Sequence, residues 1–506
     1  MEALSKRLFL QLPPPSEQDQ RSEERRILEA LPADLGEVQM SLRAMRQLYP
    51  TCQESQWRVT VSLSWNGRGW VVTGIMPGDT ANQNYGICAD LGSTTVCMRL
   101  VDLETGAVVC QSSAYNRQIT YGEDILSRVF YCKDSPQRRE ELRLATVASL
   151  QEVLHSLMVE SGFDVSTCGA MTVAGNTAMM HFLLGLDAFS LFAAPYAPRA
   201  TQFGSFPARE LEIPMDGYVT FYPCRANYLG GDIISGIVST ELHHQKGICV
   251  FLDIGTNGEL VVGNREFLLA GAGAAGPALE GGVVKTGMRA LPGAVSYLKL
   301  HEGRFHLTVL GGGAPKGLCG SGIVDMIAQL FLHGIIDLRG KFVPEAQGIV
   351  EKEGELGICY GPGLTFWQSD IDAFLQTKAA ANTMVEYMLD ALGVEMQQVE
   401  KFYVSGAFGT YLDKESAVTI GLYPDIPRDR IVSAGNTSLE GAQKLLCNRK
   451  VLRELEKILT EMEYVQFGEV ANFIDRMTAA KAIPHTDLSR YPTVRAELLR
   501  RGLLQA

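Results

Sequence analysis

The sequence predicts an α/β protein with two related halves and a small α+β unit ahead of them. From Tyr85 onward, short apolar runs alternate with helical segments, the order expected of strands connected by helices. One strand–turn–strand, "GICADLGSTTVCMRLVD" from Gly86, returns as "GICVFLDIGTNGELVVGN" from Gly247, about one domain length later. The first 84 residues carry helix and hairpin signals of their own.

In that first unit, "LQLPPPSEQDQRSEERRILEAL" opens with a stiff polyproline stretch and continues into a Ser-led, acid-rich helix start. "WRVTVSLSWNGRGWVVTGI" reads as a β-hairpin joined across Asn66-Gly67, with Trp57, Trp65 and Trp70 packing a small sheet. "MPGDTANQN" is the linker that follows. Further on, "RREELRLATVASLQEVLHSLMVESG" is an amphipathic helix stopped by Gly162. "AMTVAGNTAMMHFLLG" is a strand, a Gly-Asn turn and a helix, while "ANTMVEYMLDALG" and "TSLEGAQKLLCN" are helices. The expected boundaries are 1–84 for the small unit, 85–240 for the first half, and 241–506 for the second half with its C-terminal helices.

Composition narrows the function classes. A chain of 506 residues with 46% hydrophobic and 20% charged residues can bury a large core. Its formal net charge of -12 argues against a general binder of nucleic acid or anionic membranes. No apolar run reaches the roughly 20 residues of a membrane helix, and the N-terminus lacks a signal-peptide pattern, so the expectation is a cytoplasmic protein. The 11 cysteines are scattered, with no C-x-x-C, which fits neither a zinc site nor the common iron–sulfur runs. They read as reduced, buried small residues. His243 and His244 read as a solvated helix end rather than a metal site.

Binding the terminal phosphates of a nucleotide needs a tight glycine turn presenting N–H groups, with hydroxyls beside it. Magnesium at such phosphates keeps several waters and needs only one or two carboxylates. Asp90-Leu91-Gly92-Ser93-Thr94-Thr95 has these parts, and Asp253-Ile254-Gly255-Thr256-Asn257-Gly258 has them again. One such turn alone fits a plain hairpin almost as well; the repetition in matched strand contexts favours phosphate. Asp90 and Asp253 are thus the expected metal-holding and phosphate-positioning acids. Gly92, Ser93, Thr94, Thr95, Gly255, Thr256, Asn257 and Gly258 are expected at the phosphates.

"KFYVSGAFGTYLD" runs a strand into Gly406, Ala407, Phe408 and Gly409, where a base and ribose can approach the backbone closely. Asp232, after two glycines at a helix start, either caps that helix or approaches the metal or the attacking water. Glu280 in "GPALEGG" lines the cleft in one reading only. Gly320 and Ser321 in "GLCGSG" either bind nucleotide or start a helix. Asp124 in "YGEDILSR" favours capping, and Cys319 favours a buried structural role.

The order phosphate loop, phosphate loop, Gly-rich strand end resembles the superfamily of acetate kinases, sugar kinases, heat-shock chaperone ATPases and actin. "YGEDILSRV", "VAGNTAMMHFLLG", "ANYLGGDIISGIV", "FLDIGTNGELVVG", "GAAGPALEGG", "GLCGSGIVDMI" and "VSGAFGTYLD" occur in that order. Together they resemble the reductive activators of corrinoid proteins, from about Lys6 to Asp475. The resemblance implies two ribonuclease-H-like, actin-like ATPase lobes with a nucleotide cleft between them, preceded by the small α+β domain. It implies ATP and Mg²⁺ as cofactors and a corrinoid protein of a methyltransferase system as client, whose inactive Co(II) is returned to Co(I). The cysteines do not supply the iron–sulfur ligands that well-known members carry in an additional domain. No iron–sulfur cluster is therefore expected in this chain, and electrons are expected from a separate ferredoxin-like donor. A homodimer is a further expectation. The alternatives are a small-molecule kinase of the same superfamily and a nucleotide-dependent client-binding protein without redox activity.

Overall fold

A computed structural model describes residues 2–255, 258–273, 282, 284–406, 411–467, 470 and 472–505. The chain forms two compact units, Met1–Ser239 with Thr437–Thr460, and Thr240–Asn436 with Glu461–Ala506.

The first unit begins with a four-stranded sheet of β1 (Ser5–Gln11), β2 (Val38–Met40), β3 (Arg58–Trp65) and β4 (Trp70–Pro77), in the order β1-β3-β4-β2. Its hairpin turns through four residues, Asn66 to Gly69. The Asn66 side chain accepts from the amides of Arg68 and Gly69, so the side chain does the work of a tighter backbone turn. Trp57 and Trp70 are buried in this domain's core, and Trp65 meets Trp70 edge-on with ring centres 5.5 Å apart.

A six-stranded sheet follows: β5 (Tyr85–Leu91), β6 (Thr95–Asp102), β7 (Val108–Tyr115), β8 (Ala170–Gly175), β9 (Ser205–Pro207) and β10 (Tyr218–Phe221), in the order β7-β6-β5-β8-β10-β9. β5, β8 and β10 run parallel, so the segments that follow them leave the same edge of the sheet. The helix Pro136–Ser161 buries Leu142, Leu150, Val153, Leu154 and Leu157 and ends at Gly162, whose left-handed φ of 70° suits only glycine comfortably. The helix Thr437–Cys447 belongs to this unit. It contacts β5 and β8, where Thr172 donates to the Ala442 carbonyl at 2.8 Å and Tyr222 to the Gly441 carbonyl at 2.5 Å. Glycine is required at 441, since a β-carbon there would lie 2.1 Å from the Ser235 carbonyl oxygen of the helix Gly231–Thr240.

The second unit has a six-stranded sheet of β11 (Cys249–Ile254), β12 (Gly258–Gly263) and β13 (Leu268–Gly273) with three strands from later in the chain. Between them come two small sheets: β14 (Ala294–His301), β15 (Arg304–Val309) and β16 (Gly317–Leu318), then β17 (Ile349–Lys352), β18 (Glu355–Gly361) and β19 (Leu364–Trp367). β20 (Lys401–Ser405), β21 (Ile431–Gly435) and β22 (Met462–Gln466) complete the order β21-β20-β11-β12-β13-β22. The helices Gly320–Leu332 and Gln368–Ala391 supply much of its apolar core.

No helix among the described residues is long and apolar enough to cross a membrane. All 11 cysteines are free and eight are buried, as expected of small core residues. His243 departs from the solvated face expected of it. It is buried, its ring centre lies 3.9 Å from that of His244, and only His244 is exposed.

Candidate functional site

In the first unit, Asp90 is the penultimate residue of β5, paired in register with Ala174 of β8 on one side and Cys97 of β6 on the other. Burial pushes the Cys97 thiol up to about 11, and the Asp90 charge adds to the effect. After Leu91 the chain turns sharply at Gly92, whose amide donates to the Thr95 carbonyl at 3.1 Å. A β-carbon on Gly92 would sit 2.5 Å from that same oxygen, so no other residue makes this turn unaltered. Ser93 and Thr94 form its outer edge, half-buried, and Thr95 opens β6. Gly175 serves the same end of the sheet: a β-carbon there would meet the Leu91 carbonyl oxygen at 2.6 Å.

Asp232 lies in the first turn of the helix Gly231–Thr240, one strand beyond β8, and its Oδ1 accepts from the Ile233 amide at 2.9 Å. Gly230 allows that helix start to touch the Asn176–Thr177 turn, a β-carbon there lying 2.4 Å from Cα of Asn176. Asp124 caps the helix Ile125–Cys132 by accepting from the Ser127 amide at 2.7 Å, the role its spacing favoured.

In the second unit, Asp253 near the end of β11 pairs in parallel register with Ser405, the last residue of β20. Gly406 follows with φ of 85°, and a β-carbon there would lie 3.3 Å from Oδ1 of Asp253. Asp253 and Gly406 therefore lie side by side at the ends of adjacent parallel strands. Gly255 follows β11 directly, and Gly258 opens β12. Gly320 and Ser321 begin the helix Gly320–Leu332, and the Ser321 hydroxyl is spent on the Ser296 carbonyl at 2.7 Å. Cys319 is buried beside them, its thiol directed to the Val295 carbonyl at 3.3 Å. Thr256, Asn257, Glu280, Ala407, Phe408 and Gly409 lie outside the described residues.

Two features escaped the sequence reading. Ser438, at the start of the helix Thr437–Cys447, donates to Oδ1 of Asp90 at 2.8 Å. A signal for it exists: Ala-Gly-Asn-Thr occurs at 174–177 and again at 434–437, each time where a strand ends and a helix begins. The second feature is Arg128, whose Nη1 donates to the Ser93 carbonyl at 2.7 Å from behind the turn.

Residues 1–82 match the family model of the RACo linker region, 85–245 that of the RACo middle region, and 247–495 that of the C-terminal domain of RACo, the ASKHA domain. The corrinoid activation enzyme RamQ of Eubacterium limosum is 30% identical over 401 residues, which are 75% of this chain and 67% of the relative. The chain belongs to the RACo family of reductive activators of corrinoid proteins. A Methanosarcina barkeri [Co(II) methylated amine-specific corrinoid protein] reductase is 22% identical over 407 residues, 74% of this chain and 72% of that one. The solved structure of a reductive activator for corrinoid, iron–sulfur protein is 34% identical, with a TM-score of 0.88 over 97% of this chain and 81% of that chain. Within the family's organisation, Asp90, Gly92 to Thr95 and Asp232 fall in the middle region. Asp253, Gly255, Gly258, Gly320, Ser321 and Gly406 fall in the ASKHA domain.

Proposed function

We propose that this chain is an ATP-dependent reductive activator of a corrinoid protein, returning a cofactor stranded as Co(II) to the nucleophilic Co(I) state. The likeness to a solved reductive activator across 97% of the chain carries this reading. The two curated relatives, one a corrinoid activation enzyme and one a Co(II) corrinoid protein reductase, support it.

Mg-ATP fits the residues present. Gly92 makes a turn too tight for any side chain, and Gly406 leaves backbone bare beside the Asp253 carboxylate. In this reading Asp90 and Asp253 hold the metal through its waters. The amides and hydroxyls of Gly92, Ser93, Thr94 and Thr95, with Gly255, Thr256, Asn257 and Gly258, receive the phosphates. Gly406, Ala407, Phe408 and Gly409 admit the adenosine, with Glu280, Gly320 and Ser321 beside the nucleotide. Asp232 orients the attacking water. Bound Mg²⁺ supplies neutralisation of the phosphate charge.

The redox step adds one electron to Co(II) and gives Co(I). The electron comes from a separate low-potential, ferredoxin-like donor. An activator drives that uphill step only by binding one cobalt state more tightly than the other, because only differential affinity moves an equilibrium. For a one-electron couple each tenfold preference is worth about 59 mV.

The test mixes the chain with a Co(II) corrinoid protein and a low-potential chemical reductant, with and without Mg-ATP, and follows the visible spectrum. The expected result is Co(I) formed only with ATP, and none with Asp253→Ala. Equal Co(I) with and without nucleotide would overturn the reading.

A further inference from the structure

Behind the Asp90 turn lies a buried polar network that nothing in the phosphate motif calls for. Asn116, Gln118, Arg128 and Thr146 are all fully buried. Arg128 donates through Nε to the Gly122 carbonyl at 2.9 Å, and through Nη1 to the Ser93 carbonyl at 2.7 Å and Oε1 of Gln118 at 3.3 Å. Asn116 donates through Nδ2 to the Gly92 carbonyl at 3.0 Å and through its amide to the Thr94 carbonyl at 2.8 Å. Gln118 ties the two together: its amide donates to Oδ1 of Asn116 at 3.0 Å, and its Nε2 to Oγ1 of Thr146 at 2.5 Å.

Three consecutive carbonyls, 92, 93 and 94, are thus held from one side. In a planar trans peptide the carbonyl of one residue and the amide of the next point in opposite directions. Fixing the carbonyls of Gly92 and Ser93 inward therefore turns the amides of Ser93 and Thr94 outward. Neither amide donates to any acceptor among the described residues. Two uncommitted donors on consecutive residues, beside two hydroxyls, make an anion-binding concavity.

We propose that Arg128, together with Asn116, is a positioning residue that holds this turn in its anion-binding shape; the proposal rests on the phosphate reading of the Asp90 turn. The guanidinium suits the task because its planar fork reaches several carbonyls at once, which the point charge of lysine does not. No carboxylate among the described residues forms a contact ion pair with Arg128, and the Asp124 charge offsets only part of the effect of its burial. Burial lowers its pKa to about 10, which leaves it charged at neutral pH. In so dry a setting that charge acts strongly on an approaching anion. The fully satisfied network also keeps the turn rigid before the nucleotide arrives.

The test measures KM for ATP and kcat of corrinoid reduction for Arg128→Lys, Arg128→Gln and Asn116→Asp, beside Asp90→Ala, with circular dichroism confirming the fold. Arg128→Lys keeps the charge and loses the fork, and Asn116→Asp replaces the donor to Gly92 with a carboxylate oxygen that cannot donate and adds a negative charge behind the turn. Both are expected to raise KM by about tenfold or more, through the lost charged hydrogen bond in Arg128→Lys and through the added negative charge near the anion in Asn116→Asp, with kcat at saturating ATP within about twofold. A purely structural role would lower thermal stability and leave KM of the folded enzyme untouched. KM at the wild-type value in both Arg128→Lys and Asn116→Asp, with Asp90→Ala still abolishing the ATP effect, overturns the positioning role alone. An Asp90→Ala variant with full ATP dependence overturns the phosphate reading and this proposal with it.

Discussion

The Ser438 hydroxyl donates to Oδ1 of Asp90 at 2.8 Å across 348 residues of chain. The helix that carries Ser438 is locked onto the sheet by the Thr172, Tyr222 and Arg99 side chains. Arg99 pairs with Glu440 at 2.7 Å and bonds Gln443 at 2.8 Å. Lys444 fastens its other end by donating to the Ser239 carbonyl at 3.0 Å, a cation satisfying the last turn of a neighbouring helix. Ser438 is therefore a fixed donor that orients the Asp90 carboxylate.

Ser438→Ala should keep the fold and raise KM for ATP by about tenfold or more, the worth of one hydrogen bond to a charged acceptor. Asp90→Ala should abolish the ATP effect altogether. Steady-state ATP hydrolysis in the presence of corrinoid protein reads both. An unchanged KM in Ser438→Ala would show that the carboxylate is oriented without it.

Gly92→Ala tests the turn itself. The added methyl would meet the Thr95 carbonyl oxygen at 2.5 Å, and the turn can only open. Strain of this kind costs about 1–3 kcal/mol. Protection of the chain by Mg-ATP against thermal unfolding should disappear in the same variant. Gly69→Ala is the control, because its nearest neighbour is the Glu37 carbonyl oxygen at 3.7 Å. Its unfolding midpoint and its ATP protection should match the wild type.

These contacts also explain what could be read from the chain and what could not. The Gly92 turn, the Gly162 stop and the Asp124 cap are local: each is set by a few consecutive residues whose backbone preferences are strong. The Asp253–Gly406 juxtaposition needed one further step, two parallel strands in register, which the order of motifs along the chain does not state. Ser438 and Arg128 were not legible in this way. A serine at a helix start and an arginine in a helix have many equivalent uses, and only long-range packing selects one. The burial of His243 likewise follows from tertiary contacts that a polar-looking segment does not announce. The twice-used Ala-Gly-Asn-Thr was the one local trace of Ser438's position.

Asp325 gives a pH dependence with a definite sign. It sits in the helix Gly320–Leu332 with 2% exposure, and Oδ2 accepts from the Leu298 amide at 3.2 Å. Burial raises its pKa to about 6, above the ordinary aspartate value of 3.8. The folded chain thus holds this proton more tightly than the unfolded chain. Its stabilising effect is complete below about pH 4 and is lost as pH rises through 6, a change of about 2–3 kcal/mol. Asp325→Asn should erase that part of the profile. Urea unfolding at pH 4.5 and pH 7.5 should show the variant gaining on the wild type at the higher pH, and parallel profiles would contradict the assignment.

Lys378 makes the strongest stability prediction. It lies in the helix Gln368–Ala391, fully buried, and Nζ donates to the carbonyls of Ala480 at 2.6 Å, Ala482 at 2.7 Å and Pro484. Burial pushes its pKa down to about 7, yet three acceptors around one nitrogen call for all three hydrogens of the ammonium. Gly421 closes over the same spot, since a β-carbon there would lie 2.2 Å from the Pro484 carbonyl oxygen and 2.9 Å from Nζ. Lys378→Met would keep the stem and strand three buried carbonyls, at a cost of about 3–5 kcal/mol. The C-terminal segment beyond Ala480 should become the first site of limited proteolysis. Gly421→Ala acts on the same cluster, so the double variant should fall short of the sum of the two losses. A wild-type unfolding midpoint in Lys378→Met would mean that those carbonyls find other donors, and additive losses would mean that the two residues act apart.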